Sequence, residues 1–265
     1  MRSHRSSGVP AKVIANERPT AKGGEYDLLD PSTLNPWQRV AKATKGFVAP
    51  ANPISIYGGY LSNKALSELD KGPGERSCVK ALGLFALGRV FDVLDGYVAR
   101  MTKTRNTTGA AIDAGIDKQL ALRAARVMTR QDIISERFAT KVVANQIEIF
   151  DLNRQIKDAG GKPTPSEAGK LAMAKLGVAT GARIIETGLR DNEHTAMARI
   201  IGGFAAFAEN RTLKTMEQAT HIYRTDLYEL TNVWPDVVSD QAGYRDVATL
   251  FVNAHSDQEA YALAA

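Results

Sequence analysis

Apolar positions through the middle of the chain recur three and four residues apart. Strand-like alternation is rare, and turn signals fall roughly every 25 residues. The pattern predicts six long helices near residues 51–69, 76–102, 107–131, 134–159, 164–189 and 193–222. Lys71-Gly-Pro-Gly, the polar run Thr102–Thr108, the Gly/Pro-rich run 160–165 and Asp191-Asn192 separate them. A shorter amphipathic stretch, Pro36 to Val48, sets Trp37, Val40 and Phe47 among Arg39, Lys42 and Lys45. That pattern suits a membrane surface or an exposed helix. Residues 1–33, rich in Ser, Pro, Gly and charge, read as a flexible tail, and residues 34–222 as one helical domain. Residues 223–265, acidic and less periodic, read as an extension with a turn at Trp234-Pro235.

Hydropathy alone points away from a membrane span. A transmembrane helix needs about 20 mostly apolar residues. The longest uncharged run, Gly46–Asn63, contains two prolines and three glycines. Mean hydropathy is −0.23. Lys175, Arg183 and Glu186 all fall inside the fifth segment.

Composition narrows the chemistry. At 265 residues, 44% hydrophobic and 24% charged, the chain is globular in type. A net charge of +5 suits anionic partners, whether nucleic acid, lipid or phosphorylated substrate. No aromatic-basic platform or helix-turn-helix pattern supports nucleic acid. Cys78 is the only cysteine, which excludes a disulfide framework and a cysteine zinc site. His4, His194, His221 and His255 show no ligand spacing, so any metal here should be hard and oxygen-bound.

The chemistry is concentrated between Asp92 and Asp117. Asp92, Asp95, Gly96 and Ala99 stand at i, i+3, i+4 and i+7, one face of a helix. Gly109, Asp113 and Asp117 stand at i, i+4 and i+8, again one face. If the polar connection lets the two helices return side by side, four carboxylates converge, and Gly96, Ala99 and Gly109 leave room beside them. Such a crowd of negative charge is costly unless cations compensate it, and oxygen-only ligands point to Mg²⁺ or Mn²⁺. Arg100, at the end of the first helix, can hold a diphosphate through paired donors. A single acidic residue on a helix is ordinarily a solvated one. All eight positions would coincide by chance with odds on the order of one in ten million.

These eight positions match the motif D-x2-D-G-x2-A-R-x8-G-x3-D-x3-D of the CDP-alcohol phosphotransferases, and the chain resembles that family. Three shorter runs extend the likeness. Asn52-Pro-Ile-Ser55 is similar to the N-P-I-T opening of the family's first membrane helix. Residues 112–118 are similar to the L-D-P-x-A-D-K run of bacterial phosphatidylglycerophosphate synthases, and residues 166–170 to their S-x-x-G-K. The resemblance implies an all-α bundle of about six transmembrane helices in a cell membrane. It also implies a basic tail on the cytoplasmic side, an active site facing the cytoplasm, and a homodimer as one admissible assembly. It implies that Asp92, Asp95 and Asp113 hold two divalent ions, Mg²⁺ or Mn²⁺, and that Asp117 shares a metal and acts as general base. Asn52, Gly96, Ala99, Arg100 and Gly109 would line the CDP pocket. The implied reaction moves a phosphatidyl or other phospho-alcohol group from a CDP-alcohol, such as CDP-diacylglycerol, to an alcohol, and releases CMP.

Arg154 and Lys170 are the candidates for an acceptor phosphate, with Arg183 and Arg199 as further cations. The resemblance favours glycerol 3-phosphate as acceptor. Two departures leave other phosphorylated or free alcohols open. Residues 144–147 read A-N-Q-I where the synthases often have A-R-E-I, and Leu171-Ala172 follows the lysine where K-T is usual. An alternative reading, motivated by the polar helices, is a catalytically inactive binding or regulatory relative.

Overall fold

The computed structural model describes residues 26, 29–163, 166–233, 235 and 237–254. Most of the expected tail, together with Thr164, Pro165 and Trp234 of the expected breakers, lies outside the described residues. After a 3₁₀ turn at Pro31–Thr33 come α1 (Pro36–Ala43), α2 (Ala51–Asp70), α3 (Glu75–Met101) and α4 (Thr107–Arg130). Then follow α5 (Glu136–Asp158), α6 (Glu167–Asp191), α7 (Thr195–Thr231) and α8 (Val237–Asn253). No strand occurs among the described residues. Five of the long helices begin and end within a few residues of their predicted bounds, because their caps are local. Asn106, Ser135 and Ser166 each accept a hydrogen bond from the third residue inside α4, α5 and α6.

Helix α1 is closed by a capping box. The Asn35 side chain accepts from the Gln38 amide, and the Gln38 side chain accepts from the Asn35 amide. The same two side chains donate to the carbonyls of Thr102 and Lys103, which ties α1 to the α3–α4 connection. The chain leaves α1 through Gly46 at φ +85°, where a Cβ would lie 2.4 Å from Asn106 Oδ1. Only glycine meets both demands.

The main core gathers small and apolar side chains from α2 to α8, including Ala65, Leu69, Cys78, Met128, Phe138, Val143, Ile184 and Met216. Burial, with Asp191 nearby, pushes the Cys78 thiol up to about 11, so it is a packing group and not a nucleophile. Where α2 crosses α3, the helices approach backbone to backbone. A Cβ on Gly88 would sit 3.0 Å from the Gly58 carbonyl oxygen and 2.4 Å from Ser62 Oγ. That crossing fixes how the polar groups of α2 meet those of α3.

Three features depart from expectation. No helix of the described residues is long and apolar enough to cross a membrane, so the expectation of transmembrane helices is not met. The charges of the fifth segment are used between helices instead. Arg183 makes a bidentate pair with Glu209 of α7 (2.7 and 2.8 Å) and a 2.7 Å pair with Glu186, while Lys175 donates to Thr215 at 2.7 Å. Arg183, read as a further acceptor-binding cation, is therefore committed to a structural network. Last, α7 runs through position 222 without a break, and Ala248, Phe251 and Val252 of α8 enter the main core. Most of the described acidic stretch is thus part of the bundle, held to α5 by Tyr244 on Asp151 and Asn253 on Glu136.

Candidate active site

Helices α2, α3 and α4 meet at one end of the bundle. There Ser55 Oγ donates to Asp95 Oδ2 at 2.5 Å, and Ser55 and Asp113 border the same cleft. Asp95 is 6% exposed and packs behind Ser55, away from solvent. Asp92, on the same helix, is exposed, and Asp113 and Asp117 of α4 are half-buried. Arg89, one turn before Asp92, spans the two acidic helices. Its guanidinium lies 3.5 Å from Asp92 Oδ2 and 3.5 Å from Asp117 Oδ1. Ser55, Gly88, Arg89, Asp92, Asp113 and Asp117 border a narrow cleft of about 20 Å³, room for roughly one water or ion.

The electrostatics follow from this crowding. Burial raises the carboxyls of Asp95, Asp113 and Asp117 above the ordinary carboxylate range. Ser55 works against the rise at Asp95 and Asp113, and Arg89 works against it at Asp117. Mutual repulsion adds to the rise at all three, with Asp92 acting on each. The four aspartates are thus brought into one electrostatic unit. The donor chemistry, carboxylates with one hydroxyl, fits a hard divalent ion. As the side chains stand, no three carboxylate, histidine or cysteine groups among the described residues are gathered closely enough to hold one.

The residues expected around CDP divide into two groups. Asn52 is buried, and its amide nitrogen donates to the carbonyls of Gly46 (2.9 Å) and Phe47 (2.8 Å). A Cβ on Gly109 would sit 3.1 Å from Asn52 Oδ1, so this pair closes α4 onto α2. Gly96 and Arg100 form the second group. The exposed Arg100 folds back until its guanidinium lies 3.4 Å from the Cβ that Gly96 lacks. Ala99 is half-buried, and its carbonyl accepts from Thr104 in the turn that ends α3.

The acceptor candidates do not line the cleft. Arg154 pairs with the part-buried Asp151 at 3.2 Å, and Lys170 makes an exposed pair with Glu167 at 2.7 Å, each within its own helix. Lys118 follows Asp117 in the chain, and its ammonium lies 4.9 Å from the ring centroid of Phe150 on α5. Burial lowers its pKa, and Lys157 adds to the effect. Arg89, Ser55 and Lys118 were not singled out from the sequence as site residues. Arg89 was detectable, because it stands three residues before Asp92 on the same helix. Ser55 was visible only as the last residue of the Asn52–Ser55 run.

Residues 60–208 match the family model for CDP-alcohol phosphatidyltransferase. The matched span holds all four aspartates and Arg89, and leaves Asn52 and Ser55 just outside it. No curated protein and no solved structure matches the chain, so nothing singles out the phosphatidylglycerophosphate synthases as nearest relatives. The match covers more than half of the chain and contains all four aspartates, and the protein belongs to the CDP-alcohol phosphatidyltransferase family.

Proposed function

We propose that the chain is a metal-dependent transferase that moves a phosphatidyl group from CDP-diacylglycerol to a phosphorylated alcohol, with glycerol 3-phosphate the favoured acceptor. The observation that carries this reading is the coupling of Asp92, Asp95, Asp113 and Asp117 around a cleft of ionic size. Asp92, Asp113 and Asp117 border the cleft and would hold Mg²⁺ or Mn²⁺ after small side-chain rotations, with Asp95 joining from behind Ser55. When bound, the ions would neutralise the donor diphosphate and the charge that develops on the departing CMP.

Asp117 is the proposed base. It borders the cleft, where its carboxylate can take the proton of a hydroxyl held there. The acceptor hydroxyl gives its proton to Asp117 as its oxygen bonds to the β-phosphorus. The bond from that phosphorus to the bridging oxygen breaks, and CMP leaves with the electron pair. Arg100, held over Gly96, would grip the diphosphate. The exposed Arg154 and Lys170 would receive the acceptor phosphate by exchanging their carboxylate partners, Asp151 and Glu167, for it.

The donor of this reading resides in a bilayer, and α1 offers a means of reaching it from the cytoplasmic face. Trp37, Val40, Phe47 and Val48 are exposed beside Arg39, Lys42 and Lys45. Flotation with anionic vesicles tests this, and loss of binding in Trp37→Glu is the expected result.

The decisive assay supplies CDP-diacylglycerol in mixed micelles, labelled glycerol 3-phosphate and Mg²⁺ or Mn²⁺, and follows CMP release. Folded protein that releases no CMP with any common alcohol would sink the proposal. It would favour the inactive relative.

A further inference from the structure

We infer that Arg89 is an internal counter-cation that competes with a divalent ion for Asp92 and Asp117. The inference rests on the metal reading above and adds a residue outside the family motif. Arg89 sits on α3 beside Gly88, and its side chain, 55% exposed, borders the acidic cleft. Its two terminal nitrogens reach different helices, one to Asp92 Oδ2 and one to Asp117 Oδ1. A planar guanidinium suits such a bridge, because its nitrogens diverge in one fixed fork. It works against the rise of the Asp117 carboxyl, which burial drives first and the charges of Asp92 and Asp95 increase.

Both contacts measure 3.5 Å, well beyond the 2.7–2.9 Å of a tight charge-assisted bond. The bridge is therefore loose, and solvent exposure gives the side chain a way out. A metal ion and the guanidinium are both cations that draw on the same two carboxylates, so occupancy by both at once is unfavourable. A divalent ion that ligates Asp92 and Asp117 must displace Arg89. Metal affinity then reflects a competition, and Arg89 keeps the cleft intact while no metal is present.

The test is Mn²⁺ binding to the full chain, read from the electron paramagnetic resonance signal of free Mn²⁺ and by calorimetry. Arg89→Gln should bind Mn²⁺ about tenfold more tightly, the scale of two partly exposed ion pairs. Arg89→Lys, which keeps the charge but lacks the fork, should fall between the two. In chelator, Arg89→Gln should melt below the parent protein, and saturating Mn²⁺ should raise its melting temperature by more than the parent's. Equal or weaker Mn²⁺ binding by both variants overturns the competition and leaves the metal site standing. Absence of Mn²⁺ binding by parent and variants alike overturns the metal reading and the competition together.

Discussion

Ser55 of α2 donates its hydroxyl hydrogen to Asp95 of α3 across 2.5 Å, and this bond joins the outer helix to the acidic stripe. Asp95 is buried and has few other ways to satisfy its charge. Ser55→Ala should push the Asp95 carboxyl further up and destabilise the metal-free protein by about 2 kcal/mol at neutral pH. Urea unfolding in chelator measures the loss. An unchanged midpoint would show that the bond carries no net stability.

Asp117 is assigned the proton transfer, so Asp117→Asn should lower turnover by roughly 10²–10⁴-fold. Far-ultraviolet circular dichroism and the melting temperature should stay close to those of the parent protein. A fully active Asp117→Asn protein removes Asp117 from the mechanism.

Asp95, Asp113 and Asp117 have raised carboxyls in the fold, chiefly through burial. Between the ordinary carboxyl range and the raised values, the native state binds protons that the unfolded chain does not. Stability contributed by these groups is therefore complete below the unfolded value and is lost as pH rises through the folded values. Melting of the metal-free protein should rise as pH falls from neutrality toward the ordinary carboxyl range. Asp113→Asn should raise the melting temperature at pH 7 and flatten this dependence, and thermal scans in chelator check both.

The crossing of α2 and α3 leaves no space at Gly88. Gly88→Ala would place a methyl group 3.0 Å from the Gly58 carbonyl oxygen and 2.4 Å from Ser62 Oγ. The helices must separate, at a cost of about 1–3 kcal/mol. Because Ser55 and Asp95 meet across the same interface, turnover should fall as well. Gly83→Ala, on the same helix with open space at its Cβ, is the matched control and should leave both unchanged or slightly improved.

Arg183 holds Glu186 and Glu209, which are largely buried between α6 and α7. Arg183→Met strands Glu209 and leaves Glu186 with Arg190 as its remaining partner, and should cost on the order of 3 kcal/mol. If enough folded protein is recovered, the KM for the acceptor should not move. A selective rise in KM would return Arg183 to the acceptor site.

The ends of the helices were legible in the chain, because Asn106, Ser135 and Ser166 cap the turns that immediately follow them. The fates of Lys175, Arg183 and Glu186 were not. Read along one helix they were charges awkward in an apolar environment; read across α6 and α7 they are partners for Thr215 and Glu209. The same holds for residues 223–253, whose weak periodicity hid α8. Ala248, Phe251 and Val252 are few, and they count as core only because α5 and α4 supply the opposing surface.

The eight-position motif shows where the division lies. By itself the chain determined that Asp92 and Asp95 share one helix face and Asp113 and Asp117 another, since helical period is a local property of the backbone. It also determined that cations must answer them, since like charges repel wherever they are brought together. Only the tertiary structure decided that Ser55 reaches Asp95 and that Arg89 spans Asp92 and Asp117. Those contacts depend on which helices lie opposite and at what register. That register is set by the close backbone approach of Gly58 and Gly88, a relation between residues thirty apart that no local spacing encodes.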